Sequence, residues 1–197
     1  MQGMFEFCRD LPVRPKRPER LFFGLFPDAQ TAVHVGRFGA RFICKNHLEG
    51  TPLKSERLHV SLHHVGDYKR LRANVIYAAR QAGKAVSLHP FEVTFRSIKS
   101  FEGAPSIDGR PRRRPLVLLG ERDALSELHK ILGAAMEKNG LRAAGHFTPH
   151  MTLLYGSKPI PVQTIEPIRF EVKEFVLVHS KLWLTQYDIV DRWSLDR

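Results

Sequence analysis

Two short runs of the sequence pair an imidazole with a hydroxyl at the same spacing. They are His59-Val60-Ser61-Leu62 and His150-Met151-Thr152-Leu153, with the two histidines 91 residues apart. An imidazole, whose unperturbed pKa is about 6.5, gives or takes a proton close to neutral pH. A hydroxyl one pleat away donates a hydrogen bond to an anionic oxygen. Both runs have strand-like composition, and in a strand residues two apart share a face, about 7 Å from each other. His59 and Ser61 then point one way, with Leu58, Val60 and Leu62 behind them. His150 and Thr152 likewise point together, backed by Met151 and Leu153. Two such strands face to face would hold a phosphate between two hydroxyl donors, with a histidine on either side. In-line displacement at phosphorus needs that layout: a base beside the attacking oxygen and an acid beside the departing one. With both proton transfers assigned to histidine, neither a metal nor another cofactor is called for.

The elements that must position these runs follow from hydrophobic periodicity. LFFGLF (21–26) predicts a first strand, after which Asp28 caps a helix with Ala32, Val35, Phe38 and Phe42 at three-to-four spacing. The first histidine run lies in RLHVSLHHVG, and residues 69–82 predict a second helix lined by Leu71, Val75, Ala78 and Ala82. Two strands follow, in FEVTFRSIKSF and PLVLLG, and then a third helix over 122–138 that Asn139-Gly140 stops. HMTLLYG carries the second run, and two more strands are expected in IRFEVKEFVLVHS and LWLTQYDIV. Three single helices interrupt the strands in two comparable halves, which predicts a mixed α/β or α+β domain over 21–197. Phe91, Phe95, Phe170 and Phe175 are expected in its core.

The 197 residues carry 31 Lys and Arg against 20 Asp and Glu, a formal charge of +11. An excess of that size suits a nucleic acid or a phosphorylated ligand. Part of it lies in residues 1–20, where Arg9, Arg14, Lys16, Arg17 and Arg20 alternate with Pro12, Pro15 and Pro18. Proline at that density excludes a helix or a central strand, so the stretch reads as a flexible basic arm. A second basic stretch, Arg110 to Arg114 in RPRRRP, lies in a loop punctuated by glycine and proline. Each has a simpler reading as a solvated surface segment. No apolar run reaches the roughly 18 residues of a membrane span. Cys8 and Cys44 make neither a disulfide framework nor a zinc cluster. The expectation is a reduced, cytoplasmic monomer with no membrane partner.

By parity His63 shares the His59 face, as a candidate substrate contact or a packing residue. His146 and Thr148 would share the His150 face if that strand begins early enough. A set of His59, His63 and His150 could ligate zinc, but Asp67 is the one carboxylate nearby and no cysteine is at hand, so no metal site is expected. Ser61 lacks the Gly-x-Ser-x-Gly elbow of a serine hydrolase. Phe101, Phe147 and Tyr155 are candidates to stack on a base. His34, His47, His89, His129 and His179 are scattered and read as surface or capping residues.

The paired His-x-Ser/Thr-x motifs resemble those of the 2H phosphoesterase superfamily, and within it the 2'-5' RNA ligases, or RNA 2',3'-cyclic phosphodiesterases. LFFGLFPDAQTA is similar to the family's opening strand and helix, RLHVSLHHVGDY to its first motif region and HFTPHMTLLYG to its second. The resemblance spans about Leu21 to Trp193 and implies a two-lobed fold. Each lobe would be a mostly antiparallel sheet with helices, the motif strands facing each other across a central cleft. It also implies His59 as general acid, His150 as general base, and Ser61 and Thr152 as phosphate ligands, on RNA ends or nucleoside cyclic phosphates. The implied reaction yields 2'-phosphates, and its reversal would join ends through a 2'-5' bond. Two departures stand out: Ser61 where threonine is commoner, and Tyr155 after the second motif, where many members carry arginine. The rival class is an RNA-binding module with a non-catalytic cleft, which would need no pair of proton-transfer groups.

Overall fold

The computed structural model describes residues 18–103, 113–121 and 123–196. The basic arm up to residue 17, Cys8, and Arg110 and Arg112 of the arginine loop lie outside the described residues. Eight strands and three helices follow in the order β1 (Glu19–Leu25), α1 (Ala29–Lys45), β2 (Val60–Tyr68), α2 (Ala73–Lys84), β3 (Phe91–Ser100), β4 (Arg114–Gly120), α3 (Asp123–Lys138), β5 (His150–Gly156), β6 (Gln163–Val172), β7 (Glu174–Lys181) and β8 (Gln186–Ser194). β1 therefore takes in Glu19 and Arg20, which the sequence assigns to the arm.

Helix signals act where the sequence puts them. Asp28 caps α1, its carboxylate accepting from the Thr31 amide at 2.9 Å and the Thr31 hydroxyl at 2.6 Å. At the end of α3, Gly140 takes φ 74° and the Leu141 amide reaches back to the Met136 carbonyl at 2.9 Å, which closes the helix.

The strand order is β6-β3-β4-β5-β2-β1-β7-β8, with every pairing antiparallel. Two four-stranded halves meet at β5 and β2. Among the described residues they are joined there by one Cα pair, Val60↔Met151. The two-lobed α+β architecture is thus present, as halves that share a seam. α3 packs on β3 of one half and β2 of the other, and also against α2, so it bridges the seam from behind. Leu21, Phe23 and Leu25 of β1 enter the main core, as do Leu128 and Leu132 of α3. Phe22 joins Val176 and Val178 in a smaller cluster, with Phe26 and Tyr187 packed against it.

The C-terminal strands differ from the sequence reading. IRFEVKEFVLVHS is not one strand: the chain breaks at Lys173, so that β6 pairs with β3 in one half and β7 with β1 in the other. Residues 182–185 form the β7–β8 turn instead of opening a strand, and Thr185 there takes φ 52°. A hydrophobic run records burial on either side of such a break, so periodicity alone does not mark it.

Candidate active site

The seam brings the two motifs together. Val60 and Met151 are paired, and each follows its histidine by one residue. Counting one residue outward in that antiparallel register sets His59 opposite Thr152 and Ser61 opposite His150. All four line one cavity of about 370 Å³. Each imidazole thus has a hydroxyl on its own strand and another across the seam.

Both histidines are held by the same device. The Nδ1 of His59 lies 2.8 Å from the Arg57 carbonyl, and the Nδ1 of His150 lies 2.7 Å from the Thr148 carbonyl. A carbonyl only accepts, so each Nδ1 bears the hydrogen, and each Nε2 is left free to take or give a proton. In the neutral His59 ring, Nε2 accepts from the Ser61 hydroxyl at 3.1 Å.

Their surroundings differ. His59 sits among the rings of Phe22, Phe26 and Tyr187, at centroid distances of 5.1, 5.6 and 5.4 Å. This desolvation pulls its pKa down to about 4, and the positive charges of Arg57 and His150 act in the same direction. His150 meets the edge of Phe101 at 5.0 Å.

A bulge follows each motif. In β2, Ser61 pairs with Gly24 but His63 pairs with Phe23, so one extra residue enters and the faces exchange. His63 therefore leaves the His59 face, contrary to the parity expectation. It is 1% exposed, and its Nε2 donates to the His129 carbonyl on α3 at 2.8 Å. Gly133 makes room for it, since a Cβ there would stand 3.1 Å from the His63 ring. The residue that reaches the cleft is His64, which sequence parity assigned to the opposite face. Its Nε2 donates to Asp67 Oδ1 at 3.0 Å. Arg20 grips the same carboxylate at 2.7 and 2.8 Å, holding Asp67 down at about pKa 2. β5 repeats the device: Thr152 pairs with Val117 but Leu154 with Leu116, so Leu153 and Leu154 are both buried and Tyr155 returns to the cleft.

Other expectations are also revised. His129 is no surface residue. It is 7% exposed and stacked between His63 at 3.8 Å and Phe147 at 4.4 Å, and burial pulls its pKa down to about 4, helped by the charge of His63. Phe147 thus belongs to this column behind the site, while Phe101 and Tyr155 remain near the cleft. β5 starts at His150, so His146 and Thr148 lie outside it. With His63 on the opposite face, the set His59, His63 and His150 is not assembled. Among the described residues no group of three or more His, Cys, Asp or Glu side chains could hold a metal ion. Phe22, Ser180 and Tyr187 also line the cleft from distant parts of the chain, and Arg57 does so from just before the first motif. No short-range signal marked them.

A family model for the 2'-5' RNA ligase superfamily matches residues 27–182, which include both motifs and the whole seam. The chain belongs to this superfamily. The fold comparison agrees with the membership. The crystal structure of E. coli LigT in apo form covers 92% of this chain and 99% of its own at 24% identity, with a TM-score of 0.68. LigT complexed with 3'-AMP matches at 23% identity, 91% and 99% coverage and a TM-score of 0.69. TT0787 of Thermus thermophilus matches at 21% identity, 89% and 97% coverage and a TM-score of 0.69. At these identities the likeness establishes the fold. Comparison with curated protein sequences gives no match. Among the described residues no helix is long and apolar enough to cross a membrane.

Proposed function

We propose that this member of the superfamily hydrolyses RNA-like 2',3'-cyclic phosphates to 2'-phosphates by protein side chains alone. The observation that carries the reading is the seam quartet: two imidazoles each tied to a backbone carbonyl through Nδ1, which leaves Nε2 for proton transfer, and two hydroxyls, all lining one cavity. Ser61 and Thr152 donate hydrogen bonds to the non-bridging phosphate oxygens. Water attacks phosphorus while His150 Nε2 takes its proton. The bond from phosphorus to the ribose 3'-oxygen breaks, and His59 Nε2–H protonates that oxygen as it leaves. A 5'-hydroxyl in the place of water gives a 2'-5' linkage, the ligation counterpart of the same chemistry. The substrates are RNA ends or nucleoside cyclic phosphates, and the enzyme acts as a cytoplasmic monomer with a basic stretch of sequence ahead of β1. LigT, of the same fold, has been crystallised with 3'-AMP, ATP and NADP+, which supports a nucleotide in the cleft.

One observation favours a second assignment of the two histidines. His59, with its pKa at about 4, is neutral in the free enzyme near pH 7, which suits a base. In the first assignment the anionic phosphate entering beside it restores the proton, and the low intrinsic pKa makes it a stronger acid. The activity itself is tested by turnover of a nucleoside 2',3'-cyclic phosphate in excess chelator. The expected result is 2'-phosphate formation unaffected by chelation. Activity lost on chelation and restored by one metal would reject it. Binding without turnover would leave an RNA-binding module with a passive cleft.

A further inference from the structure

The cleft continues past the quartet. A second cavity, of about 550 Å³, adjoins it, and Leu53, Arg57 and Tyr187 line both. One wall is the segment before His59, with Lys54 and Glu56, and the other is the β7–β8 turn, with Leu184 and Gln186. Arg57 stands at the junction. Its guanidinium lies over the Tyr187 ring, 4.9 Å from the centroid, and Nη2 donates to the Tyr187 hydroxyl at 3.3 Å. Its Nε is buried without a hydrogen-bond partner.

Arg20, the other arginine of the cleft, is matched by Asp67. Arg57 has no ion pair with any described carboxylate. A guanidinium fixed against a ring and left unpaired at the mouth of a cleft is prepared for an anion, because partial burial has already stripped water from it. Its planar fork matches phosphate oxygens. The exposed Leu184 side chain and the stem of Lys54 offer apolar surface to a sugar and base, and the Lys54 ammonium offers a second positive charge.

We propose that Arg57 anchors the phosphodiester next to the reacting end of an RNA chain, and that the second cavity holds the nucleotide beyond it. The inference rests on the cyclic-phosphate reading of the quartet and makes an oligonucleotide end the preferred substrate over a mononucleotide. The neighbouring nucleotide is the one joined through the 5'-oxygen of the terminal nucleoside.

The test compares kcat/KM for a dinucleotide with a 2',3'-cyclic end and for the matching nucleoside 2',3'-cyclic phosphate. The dinucleotide is favoured about tenfold or more, on the scale of one charge-assisted hydrogen bond. That ratio falls towards one in Arg57→Gln and is partly kept in Arg57→Lys, which retains the charge. Equal use of both substrates by the unaltered enzyme, or a ratio unchanged in Arg57→Gln, overturns the subsite while the cyclic-phosphate activity stands. Calorimetric binding of a dinucleotide ending in a 2'-phosphate gives a readout independent of turnover. Arg57→Gln weakens it about tenfold and lowers the salt slope by about 0.7, as expected when one phosphate of a single strand is no longer neutralised. Unchanged binding overturns the subsite. Absent turnover with Arg57-dependent binding would remove the proposed activity and keep the subsite.

Discussion

Around His59 the cleft wall is aromatic, with Phe22, Phe26 and Tyr187 within 5.6 Å of the imidazole centroid and Arg57 two residues before it. Around His150 the described ring contact is the edge of Phe101. Yet the two strands share a frame. Each histidine is tied through Nδ1 to a carbonyl two residues upstream, carries a hydroxyl two residues on, and is followed by a bulge that returns one further side chain to the cleft. A common backbone device therefore sets where the reactive nitrogens are, and the local dielectric sets what they do. The same sequence pattern, placed against the aromatic wall of Phe22, Phe26 and Tyr187, gives His59 a depressed proton affinity.

The harshest way to break the comparison is to remove each imidazole in turn. His59→Ala and His150→Ala are each expected to lose roughly 10² to 10⁴ in turnover of a nucleoside 2',3'-cyclic phosphate, the scale of one general acid or base. Near-normal turnover in either variant would leave that strand without a catalytic role. Next come the hydroxyls. Ser61→Ala and Thr152→Ala should cost about 10- to 100-fold, since each removes one hydrogen bond to a charged oxygen, worth about 1.5–3 kcal/mol. A loss as large as that of the histidines would assign them more than phosphate binding.

The pH profile sharpens the contrast. The alkaline limb of kcat/KM, which reports the free enzyme, should set in near pH 4, because burial depresses His59 and a general acid must be protonated. An acidic limb there would instead mark His59 as the base. The limb should move up towards pH 6.5 in Phe26→Ala, which opens the aromatic wall to water. A limb that stays put would mean that Phe26 does not set the His59 environment. The smallest effect lies behind the site. His129 has a folded pKa of about 4, below its unfolded value, so its contribution to stability is complete above about pH 6.5 and is lost as pH falls towards 4. His129→Phe, which keeps the stack on His63 and Phe147, should make the decline of unfolding free energy over that window shallower. An identical slope would count against a depressed His129.

Much of this arrangement was written in the sequence. The two tetrads and their strand periodicity located all four members of the quartet, whereas Tyr155, a candidate only as an aromatic after the second motif, reaches the cleft through the bulge. Asp28 and Asn139-Gly140 placed a helix start and a helix end. What escaped was of two kinds. Each bulge inserts one residue after the hydroxyl, and strict alternation then fails, which exchanged His63 and His64 and buried Leu153 and Leu154 together. A bulge has no composition signal in a run such as LHHVG. Of the other omissions, Phe22 and Tyr187 reach the cleft through pairings that join β1 to β2, β7 and, beyond β7, β8, while Arg57 enters it from the short turn just before His59. Such long-range neighbours leave no local pattern, and His129 looked like a scattered histidine for the same reason.

The central claim is that two strands built alike divide the proton transfers between them, and the leaving group tests it directly. A ribose alkoxide departs poorly unless it receives a proton, whereas a nitrophenolate departs as an anion. Rates for His59→Ala and His150→Ala should therefore be measured on a nucleoside 2',3'-cyclic phosphate and on a nitrophenyl phosphodiester. With His59 as acid and His150 as base, the nitrophenyl ester recovers much of the activity of His59→Ala and leaves His150→Ala impaired. Recovery of His150→Ala instead would reverse the two roles, and recovery of neither would contradict a division of proton transfer between the strands.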